Sequence, residues 1–193
     1  MLFHNPLDIT LGSIVSVDAD LIGPWRELRL RGLRDHPEAF VKPAEVFAAE
    51  SDQSLIDRME AQAKLGGFVL AARSSAGEMI GTAGLSLEGS GRMSHRGHLW
   101  GMYVTPESRR QRVGERLIEE LLARAIRIPG LEQVHLGVVT TNTPAVSLYT
   151  RMGFTTYGTD PRCIKLGDRA FDEYLMVKRL RGIGGRGPGP AER

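Results

Sequence analysis

Apolar and polar positions alternate with two different periods along the chain, and each change of period marks an element. "SIVSV" at 13–17 has the alternation of a short edge strand. Trp25, Leu28 and Leu33 then recur at near-helical spacing, so a first helix begins near Pro24, a residue suited to a first turn. "SDQSLIDRMEAQAKLGG" predicts a second helix, capped by Ser51 or Asp52 and ended by Gly66. Two apolar runs, 68–73 and 79–87, flank a Ser/Gly turn and read as a hairpin. "GHLWGMYVTP" is a third clear strand, with Gly101 as a candidate bulge. Val113, Leu117, Leu121, Leu122 and Ala125 form the apolar stripe of the next helix, opposite Glu115, Glu119, Glu120 and Arg124. "EQVHLGVVT" is a buried strand. Thr143 is placed to cap a short helix, with Pro144 in its first position and Gly153 beyond its end. "FTTYGT" and "FDEYLMVKRL" read as the last two strands.

This order mixes hairpins with one strand–helix–strand unit, and such a unit implies two parallel neighbours. The fold class is therefore α/β: a mixed, mostly antiparallel central sheet with one parallel pair. A length of 193 residues suits one domain, expected over 1–180. The Gly/Pro-rich segment 181–193 has nothing to bury and is expected to be a flexible tail.

Composition changes this picture little. A net charge of +2 is too small for a general nucleic-acid binder, and only the Gly/Arg-containing tail supports an RNA reading. One cysteine, Cys163, cannot form an intrachain disulfide, which favours a reducing, cytoplasmic location. The start "MLFHNPLDIT" lacks a signal-peptide pattern and no apolar stretch approaches a membrane span, so no membrane partner is expected.

Charge placement is more informative. Arg109, Arg110 and Arg112 crowd the start of the fourth predicted helix, where the macrodipole is positive. Cations there are unfavourable unless an anion pairs with them, and phosphate oxygens match a guanidinium fork. The competing reading is a solvated basic corner. The glycine-lysine-serine ending of a nucleotide P-loop is absent, so an ATP site is unsupported.

"MYVTPESRRQRVGERLIEELL" followed by "NTPAVSLYTRMGF" resembles the GNAT superfamily of acyl-CoA-dependent N-acyltransferases. Arg109, Val113 and Gly114 fit the family's turn. Arg112 stands where its first glycine is usual, and a non-glycine residue does not freely adopt positive φ. Asn142, Ala145, Leu148, Tyr149, Gly153 and Phe154 fall at the spacing of the second motif. The resemblance implies a GNAT-like sheet with helices on both faces and its parallel pair split to hold coenzyme A. It implies acetyl transfer from acetyl-CoA, a cosubstrate, to a primary amine by direct attack in a ternary complex, without a metal. The alternative is a non-catalytic acyl-CoA-binding sensor.

The same resemblance assigns roles. The amides of Arg110, Gln111, Arg112, Val113, Gly114 and Glu115 would hold the pyrophosphate. Arg109, Arg110 or Arg112 would reach the 3′-phosphate. Met102 and Val104 would pair with the pantetheine arm, and Asn142 would bond that arm or cap the following turn. Tyr149 takes the position of the general acid. His98 stands near the place of a glutamate base in many members; an exposed strand histidine is an equal reading, and Glu173 or water are other candidates. His135 reads as a packed histidine, and Cys163 has no nucleophile motif. The acceptor is a small-molecule or peptide amine, walled by 25–40 and the hairpin after Leu85, with Phe40 or Phe47 as lining. A homodimer is one open partner.

Overall fold

The computed structural model describes residues 10–89 and 91–180; the tail expected at 181–193 lies outside them. The strands are β1 (Leu11–Ser16), β2 (Phe68–Ser74), β3 (Met79–Leu87), β4 (Arg96–Val104), β5 (Gln133–Val139), β6 (Thr155–Leu166) and β7 (Arg169–Arg179). They form one sheet in the order β1-β2-β3-β4-β5-β7-β6, antiparallel except for β4 and β5. The helices are α1 (Ile22–Asp35), α2 (Ala44–Ala48), α3 (Asp52–Ala63), α4 (Val113–Ala125) and α5 (Thr143–Arg151).

The apolar stripes divide these helices between the two faces. Trp25 and Leu33 of α1, Phe47 of α2 and Leu55 of α3 bury against Val69 and Ala71 of β2. Val113, Leu117, Ile118 and Leu121 of α4, with Tyr149 of α5, bury on the other face against Leu85, Leu99, Val134, Leu136 and Met176. A buried polar chain ties the first group down. Trp25 Nε1 donates to Thr82 Oγ1 at 3.0 Å, and Thr82 Oγ1 donates to the Leu70 carbonyl at 2.9 Å.

Three expectations change in detail. α2 is not visible as a periodic pattern, because five residues are too few to show one. β6 runs well past the predicted "FTTYGT". Its residues are mostly exposed, so pairing with β7 extends it rather than an apolar pattern, and Pro161 is tolerated on this edge strand. The cap of α5 is Asn142, whose Oδ1 accepts from the Ala145 N–H at 3.3 Å; Thr143 and Pro144 are the first two helical residues.

Candidate active site

The parallel pair is short. β4 and β5 are in register only at Arg96–Gln133, Gly97–Val134 and His98–His135, and beyond His98 they part. A bulge helps to turn β4 away. Between Thr82–Tyr103 and Gly84–Trp100 the β4 strand holds one residue more than β3, and Gly101 supplies the positive φ of 68°.

The ladder fixes which backbone groups line the gap. The Thr105 N–H bonds the Ile80 carbonyl, so Val104, opposite Gly81, turns its own N–H and C=O away from β3. The Thr140 N–H bonds the Asp172 carbonyl, so Val139, opposite Glu173, turns its groups away from β7. The Val139 carbonyl accepts from the Asn142 N–H at 2.9 Å, so what the two strands leave open toward a cleft of about 1200 Å³ is the N–H of Val104 and of Val139.

At the end of the gap lies the arginine turn. Arg110 (φ 61°) and Arg112 (φ 62°) are both left-handed. Arg112 therefore adopts the conformation for which glycine is usual and is the N-cap residue of α4. Its guanidinium pairs with Glu115 at 2.6 Å, and this partner holds the Glu115 carboxyl below the usual carboxylate range. Arg109 folds back, donating from Nε to the Val104 carbonyl (3.2 Å) and from Nη2 to His36 Nε2 (2.8 Å). Arg110 has no hydrogen bond or ion pair among the described residues. The N–H groups of Val113, Gly114 and Glu115 are first-turn donors, and no backbone acceptor serves them among the described residues. A side chain at Gly114 would meet Met102 Cε at 3.0 Å and Leu148 Cδ2 at 3.2 Å, so glycine lets α4 lie against β4 without displacing those side chains.

Tyr149 reaches the cleft from α5 while its ring stays buried against Phe154, centroids 5.8 Å apart. Burial pushes its phenol well above the usual range, so it is protonated at neutral pH. Its hydroxyl has no hydrogen-bond partner among the described residues. From the opposite face of the sheet come His98, His135 and Glu173. Desolvation lowers the His98 pKa; Glu173 and Glu88 partly oppose this, and Arg96 adds to it. His135 is lowered too, by desolvation and then by Arg96. Arg96 Nη2 lies 3.4 Å from His135 Nδ1 and can only donate, so Nδ1 accepts and Nε2 carries the proton, buried without a partner. The Glu173 carboxylate lies over Gly137, whose missing side chain makes room for it.

The structure brings together His98, Met102, Val104, Arg109, Arg110, Arg112, Val113, Gly114, Glu115, Asn142 and Tyr149 around one cleft. Gln111 is apart from them, its amide donating to the Glu107 carbonyl at 3.3 Å. Phe40 lines the cleft, whereas Phe47 is buried under α1. Cys163 donates to Glu173 Oε2 at 3.1 Å and is pushed up to about 12 by desolvation and that carboxylate, so it holds almost no thiolate. Among the described residues no cluster of three or more His, Cys, Asp or Glu is arranged to hold a metal ion, and no helix is long and apolar enough to cross a membrane. The residue that sequence reasoning missed is Arg29, buried in the wall of this cleft. Its signal was a cation one turn after Trp25 and one turn before Leu33, within the apolar stripe of α1.

Comparison with known proteins agrees with this geometry. The chain is 32% identical over 138 residues to mycothiol acetyltransferase of Thermobispora bispora, an alignment covering 70% of this chain and 43% of that protein. It spans less than half the length of the curated relatives it matches. Its fold is similar to a GNAT-family acetyltransferase from Streptococcus pneumoniae (TM-score 0.78, 21% identity, 87% of this chain and 98% of that one). It is also similar to yncA from Salmonella typhimurium, solved with acetyl-CoA (TM-score 0.77, 19% identity, 93% and 98%). The profile of the Acetyltransferase (GNAT) family matches residues 29–154, which include α4, the gap and the whole of α5. With more than half its length matched, this chain belongs to the Acetyltransferase (GNAT) family.

Proposed function

We propose that the protein transfers an acetyl group from acetyl-CoA to the primary amine of a small molecule or peptide, by direct attack in a ternary complex. The observation that carries this reading is the split between β4 and β5: an open strand N–H on each side, unpaired α4 N–H groups at one end, and the Tyr149 hydroxyl beside it. The first-turn amides and Arg110 suit a pyrophosphate. The N–H of Val104 and the bulge at Met102 suit an extended arm added as a strand. Acetyl-CoA, when bound, supplies the thioester.

The residues divide the proton work between the two faces. The amine approaches from the side of His98, Glu173 and Arg96. His98, with its cation disfavoured, is neutral at pH 7 and accepts the proton that the amine loses as the N–C bond forms. Tyr149 gives its proton to the sulfur as the C–S bond breaks. The left-handed Arg112 fits a formed turn, which an enzyme and a sensor both need; His98 and Tyr149 beside the gap are what favour the enzyme. We expect a cytoplasmic location, on the strength of the lone cysteine.

Two measurements test the proposal. Acetyl-CoA should raise Tm by mass action, and dephospho-CoA should do so less. Thiol should then be released from acetyl-CoA in the presence of one or more amines of a broad panel. No rise in Tm at millimolar acetyl-CoA would remove the donor site. Binding without thiol release across the panel would leave the sensor reading.

A further inference from the structure

Arg29 is a buried cation without a counter-ion. It projects from the middle of α1, is 8% exposed, and makes no hydrogen bond or ion pair among the described residues. Its Nη1 is buried and unpartnered. The guanidinium carbon lies over the Phe40 ring, 4.4 Å from its centroid. The guanidinium lies beside the β4 bulge, where a side chain on Gly101 would stand 3.6 Å from Nη1. Burial lowers its pKa to about 10, so it still carries its charge at neutral pH.

Such a group is costly to bury, and proteins keep buried charges paired. The contrast within α1 is informative. Arg26 bonds Asp52 and the carbonyls of Ala48 and Glu50, and Arg31 pairs with Glu107 and Asp35. Arg29 alone among these three faces the cleft, and it alone is left unpaired. The missing partner is an anion that arrives from the cleft. The Phe40 ring packs against the guanidinium, and a guanidinium fork suits bidentate bonding to a planar carboxylate. The wall on this side also holds His98 and Glu173, the groups that would receive the amine.

Resting on the acetyl-transfer reading above, we infer that the acceptor is a small amino acid-like molecule whose carboxylate is bound by Arg29 while its amine meets the gap between β4 and β5. The Arg29 side chain contributes to recognition of the acceptor and takes no part in the proton transfers.

The test uses the full chain saturated with coenzyme A and a panel of the protein α-amino acids and ω-amino carboxylates, each paired with its carboxamide. Calorimetry reads binding, and thiol release from acetyl-CoA reads turnover. For at least one pair the acid should bind about 10–100-fold more tightly than the amide, the range expected for hydrogen bonds to a charged partner. Arg29→Met should bring that ratio close to one. It should leave the Tm rise given by acetyl-CoA unchanged, and should raise the Tm of the free chain because an unpaired buried charge is gone. Arg29→Lys keeps the charge but loses the fork, so the ratio should fall several-fold; this variant carries the test if the methionine variant does not fold. A ratio near one in the wild-type chain for every pair, no binding by any member, or an undiminished ratio in both variants overturns the inference. Thiol release with carboxamides as readily as with acids overturns it while leaving acetyl transfer intact. An acid preference lost in Arg29→Met, without any thiol release, keeps the carboxylate site and removes the acetyl-transfer reading.

Discussion

At the scale of single residues, three side chains carry most of what can be tested. Tyr149→Phe keeps the edge contact with Phe154 and deletes one proton. With the best acceptor found, turnover should fall about 10²–10⁴-fold while acetyl-CoA affinity stays level, because the phosphate site proposed at α4 does not involve Tyr149. Wild-type turnover in the Phe variant across pH 6–9 would mean that the thiolate takes its proton from water. Arg112 poses the opposite case. Its φ of 62° is strained for any side chain, so Arg112→Gly should raise Tm by about 2–4 °C, provided the Glu115 pair is worth less than the strain. Calorimetry at two salt concentrations then reads its other role: weaker, less salt-dependent coenzyme binding would assign Arg112 a phosphate contact. The position was legible in the sequence as a departure, but its left-handed backbone was not, because an arginine carries no local signal for positive φ. Arg29 was illegible for a similar reason. An arginine in an amphipathic stripe reads as a boundary residue until the loop at 36–42 is seen to close over it.

Among elements, the long periodic ones were readable and the short or paired ones were not. α4 shows its stripe over more than three turns, whereas α2 has a single turn and β6 owes its length to β7. The cap of α5 was misjudged by one residue, since Asn142 and Thr143 are both good capping types and only the Asn142 Oδ1 to Ala145 bond distinguishes them. Asn142→Ala should therefore cost about 1 kcal/mol of stability by denaturant unfolding, whereas Thr143→Ala should cost less. The attachment of α1 to the sheet gives a sharper test. Thr82→Val preserves shape but leaves the Trp25 N–H buried and unpaired, at a cost of about 1–3 kcal/mol. A loss no larger than that of an ordinary surface substitution would mean that the indole finds another acceptor.

For the whole molecule, the folded state disfavours the imidazolium at both His98 and His135. The unfolded chain then binds protons below pH 6.5 that the folded chain resists. Stability should be at its full value above that pH and should decline as pH falls toward the depressed folded values. Tm measured from pH 7.5 down to 5 should fall, and His98→Gln with His135→Gln should flatten that part of the curve. The split sheet has a consequence beyond catalysis. In the sheet ladder only three residue pairs join β1–β4 to β5–β7, so beyond the core they share under α4 the two ribbons are stitched at one end, and the edges of the gap should open locally. Amide hydrogen exchange should report this. The Val104 and Val139 amides should exchange quickly in the free chain, while the Thr105 amide, bonded to Ile80, should exchange slowly. A donor lying between the ribbons should slow Val104 and leave Thr105 unchanged, so that the small molecule serves as the sheet's missing rung and delays the parting of its halves.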